Sequence, residues 1–177
     1  MRAKTLEIAG LVALGVGSRL LPHPPNMTAI GAIALKSRER FGLKGLFIPL
    51  VSMAFADVII GFYDWRLLLS VYASFALFGM LGAVLKRTRS GGTIMATAAL
   101  GSTLFFLVTN TFVWALSSWY PHDIGGLLAC LAAGLPFYGN MALGDILATL
   151  AIYKLPRALT ASNLQRNLLK HPLAALK

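Results

Sequence analysis

Charge and cysteine are what this chain has least of. Only 12% of its 177 residues are charged and just six are acidic, where a soluble domain carries about 25% charged residues. The single cysteine, Cys130, leaves no partner for an intrachain disulfide. No GxxxxGK[ST] phosphate loop occurs, so any ATP-driven step needs another subunit. CxxC, HExxH and GxSxG are missing as well, as are low-complexity stretches and internal repeats. Together these absences exclude a disordered chain and a disulfide-stapled secreted module.

What fills the sequence is apolar. Hydrophobic residues make up 57% of it, in continuous runs such as LLLSVYASFALFGMLGAVL at 67–85. A membrane-spanning helix takes about 20 such residues. The expectation is an all-α, polytopic membrane helical bundle of about six spans, one domain over residues 1–155, followed by a basic tail over 156–177. Strands of a membrane barrel alternate with period two over about ten residues, which these runs do not do. The lipid bilayer is therefore the first expected partner.

A net charge of +10 points to nucleic acid in a soluble protein, but here placement decides. All but two of the 16 Lys and Arg fall in alternate connections. Arg2 and Lys4 precede the first span, Lys36, Arg38, Arg40 and Lys44 form one loop, and Lys86, Arg87 and Arg89 form another. Lys154, Arg157, Arg166, Lys170 and Lys177 follow the last span. Basic connections stay in the cytoplasm. Both termini are thus expected inside a multi-pass cell inner (plasma) membrane, with no nucleic-acid partner.

Breakers set the expected spans. The first covers residues 6–21 and stops at Pro22-His23-Pro24-Pro25, since proline cannot continue a helix. A short second segment covers 28–35, the third 46–62, the fourth 67–85 and the fifth 93–119. The apolar stretch after Asp123 is too long for one straight span, and Gly134, Pro136 and Gly139 divide it. It reads as a segment at 125–134 dipping into the outer face, then a sixth span at 137–153. In the tail, LTASNLQRNLLK is amphipathic and suits either the inner leaflet or solvent.

Ionisable residues inside spans are costly and face the bundle interior. Asp57 falls about 9 Å below the outer end of the third span and Asp145 about 12 Å below Phe137. Asn110 lies at similar depth. With Arg19, Trp114, Phe137, Tyr138 and Asn140 they form a candidate substrate-binding set, in which flat side chains stack on a planar ring beside polar anchors. The plain alternative stays open: Asp57 pairs with Arg19 or caps backbone groups, and Asn110 and Asp145 join helices by hydrogen bonds. Cys130, His122 and His23 lie near the same face, but nothing orients a histidine against the thiol. No catalytic residue, metal or cofactor is expected, and the protein is read as non-enzymatic. Small residues at spacing four on the first helix, Ala9, Ala13 and Gly17, make a smooth stripe that suits close helix docking.

The segments SRLLPHPPNMTAIGAIAL (18–35), AFADVIIGFY (54–63), FFLVTNTFVW (105–114) and YPHDIGGLLACLAAGLPFYGNMALGD (120–145) resemble a domain-of-unknown-function family of small bacterial membrane proteins. The layout is also similar to the substrate-binding S components of energy-coupling factor (ECF) vitamin transporters. That resemblance implies uptake of a vitamin-sized small molecule, with an ECF-type coupling subunit and its ATPases as partners. The coupling subunit would meet an Ala-xxx-Ala stripe that here falls on Ala9 and Ala13. A structural or accessory subunit of a membrane complex is the rival expectation.

Overall fold

A computed structural model describes residues 2–170, with side chains for residues 2–155. Among the described residues the chain is all-helical: α1 (Arg2–Leu20), α2 (Ile30–Phe41), α3 (Phe47–Ile60), α4 (Trp65–Met80), α5 (Gly91–Leu116) and α6 (Ile124–Lys170). Short 3-10 segments, Gly42–Leu46 and Leu81–Lys86, precede α3 and follow α4. Four helical segments among these residues are long and apolar enough to cross a membrane: Ile30–Ile60, Trp65–Lys86, Gly91–Leu116 and Ile124–Leu155. Six spans were expected and four meet that standard. α1, with Arg2, Lys4, Glu7 and Arg19, is not among them. Large apolar side chains on the outer surface, such as Val58, Ile59 and Phe62 of α3 and its end, fit contact with lipid.

Local chemistry writes the helix ends. α1 stops before the proline-rich stretch, where Asn26 adopts φ +63°, a conformation asparagine tolerates better than most residues. The Asp64 carboxylate starts α4 by accepting from the amides of Arg66 (2.8 Å) and Leu67 (3.4 Å). Ser90 accepts from the Thr93 amide at 3.1 Å to start α5, and Asp123 from the Gly126 amide at 2.7 Å to start α6. Each satisfies an amide that a helix start leaves unpaired. Hydrogen bonds from the Arg66 side chain and amide hold the Asp64 carboxyl below its usual range.

The segment Ile30–Ile60 is bent back on itself. α2 ends at Gly42, whose φ of +70° suits glycine, and Gly45 then lies against the Ser37 carbonyl. A straight helix would hold residues 37 and 45 about 12 Å apart. α3 therefore returns alongside α2. Lys36, Arg38 and Arg40, expected in a loop, are helical. The reason is Glu39, which is buried and collects ion pairs from Lys36 (3.1 Å) and Arg89. Lys36 also lies over the Tyr153 ring, 4.8 Å from its centroid.

α2 is the centre of the bundle. Ile30, Ala32, Ile33, Ala34 and Leu35 are fully buried, between α3, α4 and α6. Lipid tails are as apolar as these side chains, so close packing and polar contacts must hold the helices together. Glycine allows that approach: a Cβ on Gly31 would strike Phe78 and the Asp145 carboxyl, and one on Gly82 would strike the Leu35 carbonyl. α1 is peripheral. Only its Gly15 is buried, against Ser52 of α3.

The C-terminal helix also differs from expectation. The division into a dipping segment at 125–134 and a span at 137–153 is absent, because α6 runs unbroken from Ile124 to Lys170. Proline costs a helix one backbone bond, but within a membrane bundle neighbouring groups tolerate that loss. Gly134 is buried against Asn110 and Phe106 of α5, so it serves packing where a break was read. α6 also carries on through residues 156–170 of the expected tail. The side chains of LTASNLQRNLLK, and residues 171–177, lie outside the described residues.

Candidate ligand cavity

The non-helical stretch between α1 and α2 descends into the bundle and does not stay at its rim. Ser18 on α1 accepts from the Ala29 amide at 3.2 Å, and Thr28 accepts from the Ile30 amide at 3.5 Å. The next amide, Gly31, donates to Asp145, whose other oxygen accepts from Ser102 Oγ at 2.8 Å. Ser102 lies close to the midpoint of α5 (Gly91–Leu116). α2 therefore begins at mid-depth and fills only the basic half of the bundle. Its exposed first amides are answered by three polar side chains, as they must be away from water.

Above that start, in the half of the bundle opposite the basic connections, is a cavity of about 390 Å³. α1 contributes Arg19, the descending stretch Asn26 and Thr28, and the α3–α4 connection Tyr63. α4 supplies Val71 and Phe75, α5 supplies Phe105, Phe106, Thr109, Asn110 and Val113, and α6 supplies Gly134, Phe137, Tyr138 and Met141. Walls that are mostly aromatic or apolar, with a few polar groups, are the usual make-up of a small-molecule site.

Its polar groups differ in how fully they are engaged. Arg19 pairs with Asp57 of α3 through one guanidinium nitrogen, while its Nε is buried and has no partner. Asp57 is 2% exposed and also accepts from the Tyr72 hydroxyl at 2.7 Å. It stands behind Arg19, off the cavity wall. Among the described residues no carboxylate lines the cavity, and the one formal charge there is a cation. Asn110 donates to the Phe106 carbonyl at 2.8 Å, and its side-chain oxygen is turned toward Gly134. The Tyr138 hydroxyl is 3.0 Å from Thr103 Oγ1. Burial, with the Asp57 charge adding to it, pushes the Tyr63 phenol above its ordinary range.

The structure thus brings four of the expected residues, Arg19, Asn110, Phe137 and Tyr138, to one cavity. The others stand elsewhere. Asp57 holds Arg19 from behind, and Asp145 serves the start of α2. Trp114 turns to the rim, where its Nε1 donates to the Pro121 carbonyl at 2.8 Å and its ring meets His122 edge-on at 5.8 Å. Asn140 is half-buried and off the wall. Cys130 is buried, its thiol directed at the Asn110 carbonyl at 3.4 Å. Ala9 and Ala13 are exposed, and nothing lies near Gly17 where a Cβ would be. Sequence reasoning missed Tyr63, Phe75, Phe105, Phe106 and Thr109. A usable signal was helical spacing: Phe106, Asn110 and Val113 share one face of α5, and Gly134, Phe137, Tyr138 and Met141 one face of α6.

The chain belongs to a family of unknown function, DUF6580, whose description matches residues 1–166. No curated protein and no solved structure matches it.

Proposed function

We propose that this member of DUF6580 is a non-enzymatic membrane transport protein that takes up a vitamin-sized small molecule through the Arg19 cavity. The observation that carries the reading is the cavity's floor. Irregular backbone at membrane depth is tolerated where protein buries it or where it lines a water-filled space, and transporters set such broken segments and half-helices around their substrate. The descending stretch and the mid-depth start of α2 have that form, directly below a pocket with one cation and aromatic walls.

In this reading α1, the 22–41 stretch, the returning α3, α4, α5 and α6 make six passes. The basic end faces the cytoplasm with both termini, and the membrane is the inner (plasma) membrane. The cavity opens outward, an ECF-type coupling subunit with ATPases docks on the stripe of exposed Ala9 and Ala13 and half-buried Gly17, and Arg19 anchors an acceptor group of the substrate while Phe137 and Tyr138 face its ring.

The test is ligand detection by native mass spectrometry of protein extracted gently from its own membranes, followed by binding of a vitamin panel to wild type and Arg19→Gln. A copurifying compound whose binding falls at least tenfold in Arg19→Gln, with unchanged helical content, supports the reading. Failure to bind any panel compound, together with a stoichiometric non-ATPase membrane partner, transfers the protein to the accessory-subunit class.

A further inference from the structure

At the basic end, outside the ligand cavity, lies a second concavity of about 630 Å³. Lys4 of α1, Arg40 of α2, Lys44 of the 3-10 turn and Lys86 at the end of the α4 extension surround it, with Ile8 and Ile48 between them. These cations come from four separate elements, brought together because α3 folds back at Gly42 and α1 packs on α3. Among the described residues only Arg40 of these four has a carboxylate partner, Glu7, at 3.1 Å from both oxygens. Lys4, Lys44 and Lys86 form no ion pair among the described residues. Three like charges converging without a counter-charge repel one another unless an anion joins them.

The surroundings identify the source of that anion. Leu43 and Phe47, next in sequence to the lining residues Gly42, Lys44 and Ile48, are 62% and 67% exposed. Ile8 adds apolar surface on α1. The helix surface here changes from apolar to basic, which is where a bilayer places its phosphates. Basic pockets between membrane helices are known hosts for anionic headgroups.

We propose that this concavity binds the phosphate headgroup of an anionic phospholipid. Lys4, Lys44 and Lys86 contact the phosphate, and the acyl chains lie along Ile8, Leu43 and Phe47. A water-soluble phosphate ester shares the charge but has no use for the apolar flank. The site is independent of what the Arg19 cavity carries.

The experiment uses the full chain, delipidated in a neutral detergent, with thermal unfolding read against added phosphatidylglycerol, phosphatidylcholine or glycerol phosphate. Phosphatidylglycerol is expected to raise the unfolding temperature where the other two do not. The variant K4Q/K44Q/K86Q should lose on the order of 100-fold in phosphatidylglycerol affinity, from three phosphate-facing cations. The charge-matched R2Q/R87Q/K154Q variant, altered at the same end but outside the concavity, should keep it. Because the three lysines are exposed, folding is not at stake, and Lys44→Glu alone should give a smaller loss in the same direction. An equal response to phosphatidylcholine overturns the proposal. So does an equal response to glycerol phosphate, which assigns the site to a soluble ester, and so does an equal loss in the two triple variants.

Discussion

The wall behind the cavity and the centre of the bundle each contain one buried aspartate, and the two are used in opposite ways. Asp57 is 2% exposed and Asp145 is 1% exposed. Around Asp57 every side-chain partner is itself a side chain, Arg19 and Tyr72. Around Asp145 one partner is the backbone amide of Gly31 and the other is Ser102. A side-chain partner can be altered or recruited by something else, whereas a backbone amide stays wherever the helix begins. Asp57 therefore belongs to a region that can exchange partners, and Asp145 to one that cannot.

The contrast is broken most severely by removing Asp57. Asp57→Ala leaves a mostly buried guanidinium without its partner, expected to destabilise by about 3–5 kcal/mol. The double variant Asp57→Ala/Arg19→Leu should recover much of that loss, as read by unfolding in detergent. Asp145→Ala should cost about 1–3 kcal/mol for the amide left unpaired, and Asp145→Ala/Ser102→Ala should recover nothing. Recovery in the second pair but not the first would reverse the comparison. Gly31→Ala tests the same centre from the other side and should cost about 1–3 kcal/mol by overpacking against Phe78 and Asp145. Tyr72→Phe, which keeps the ring and removes one hydrogen bond to Asp57, should cost about 0.5–1.5 kcal/mol.

The smallest effect is expected at the surface, where Asp64 starts α4. Its carboxyl is held below the usual range by Arg66, so its contribution is complete above that range and fades as pH falls through the lowered value. Protection of the Arg66 and Leu67 amides from hydrogen exchange, relative to the unstructured rate at each pH, should therefore fall in acid, and Asp64→Ala should show the lower protection at neutral pH and converge with wild type in acid.

Features marked by a change of composition were legible in the sequence. The basic loop at Lys86 to Arg89 and the aromatic turn at Tyr63 to Arg66 bracket α4 and its extension closely. The expected 93–119 span lies within three residues of α5 at either end. The pairing of Arg19 with Asp57 was one of two open readings, since both charges fell within spans. Legibility failed where a distant neighbour overrides a local signal. Glu39 looked like part of a charged loop, but Arg89 draws it into a buried helix. Gly134 and Pro136 read as a break, although packing on α5 makes the glycine useful inside a helix. For Asp145 the hydrogen bond between helices, from Ser102 of α5 at 2.8 Å, was one of the open readings, whereas its service to the Gly31 amide was not legible, because every residue but proline has an amide.

The mid-depth start of α2 also constrains biogenesis. With 12 residues, four of them charged, this helix is too short and too polar to enter a bilayer as an independent span. Ser18 and Thr28 answer the Ala29 and Ile30 amides from within the first part of the chain, but the Gly31 amide is answered only once α6 delivers Asp145, and an unpaired backbone group in hydrocarbon costs several kcal/mol. The innermost helix, made second, is thus completed last. Until α6 has been synthesised and inserted, residues 21–46 must wait at the membrane surface or within a protein-lined insertion site, so assembly order departs from chain order at the very centre of the fold.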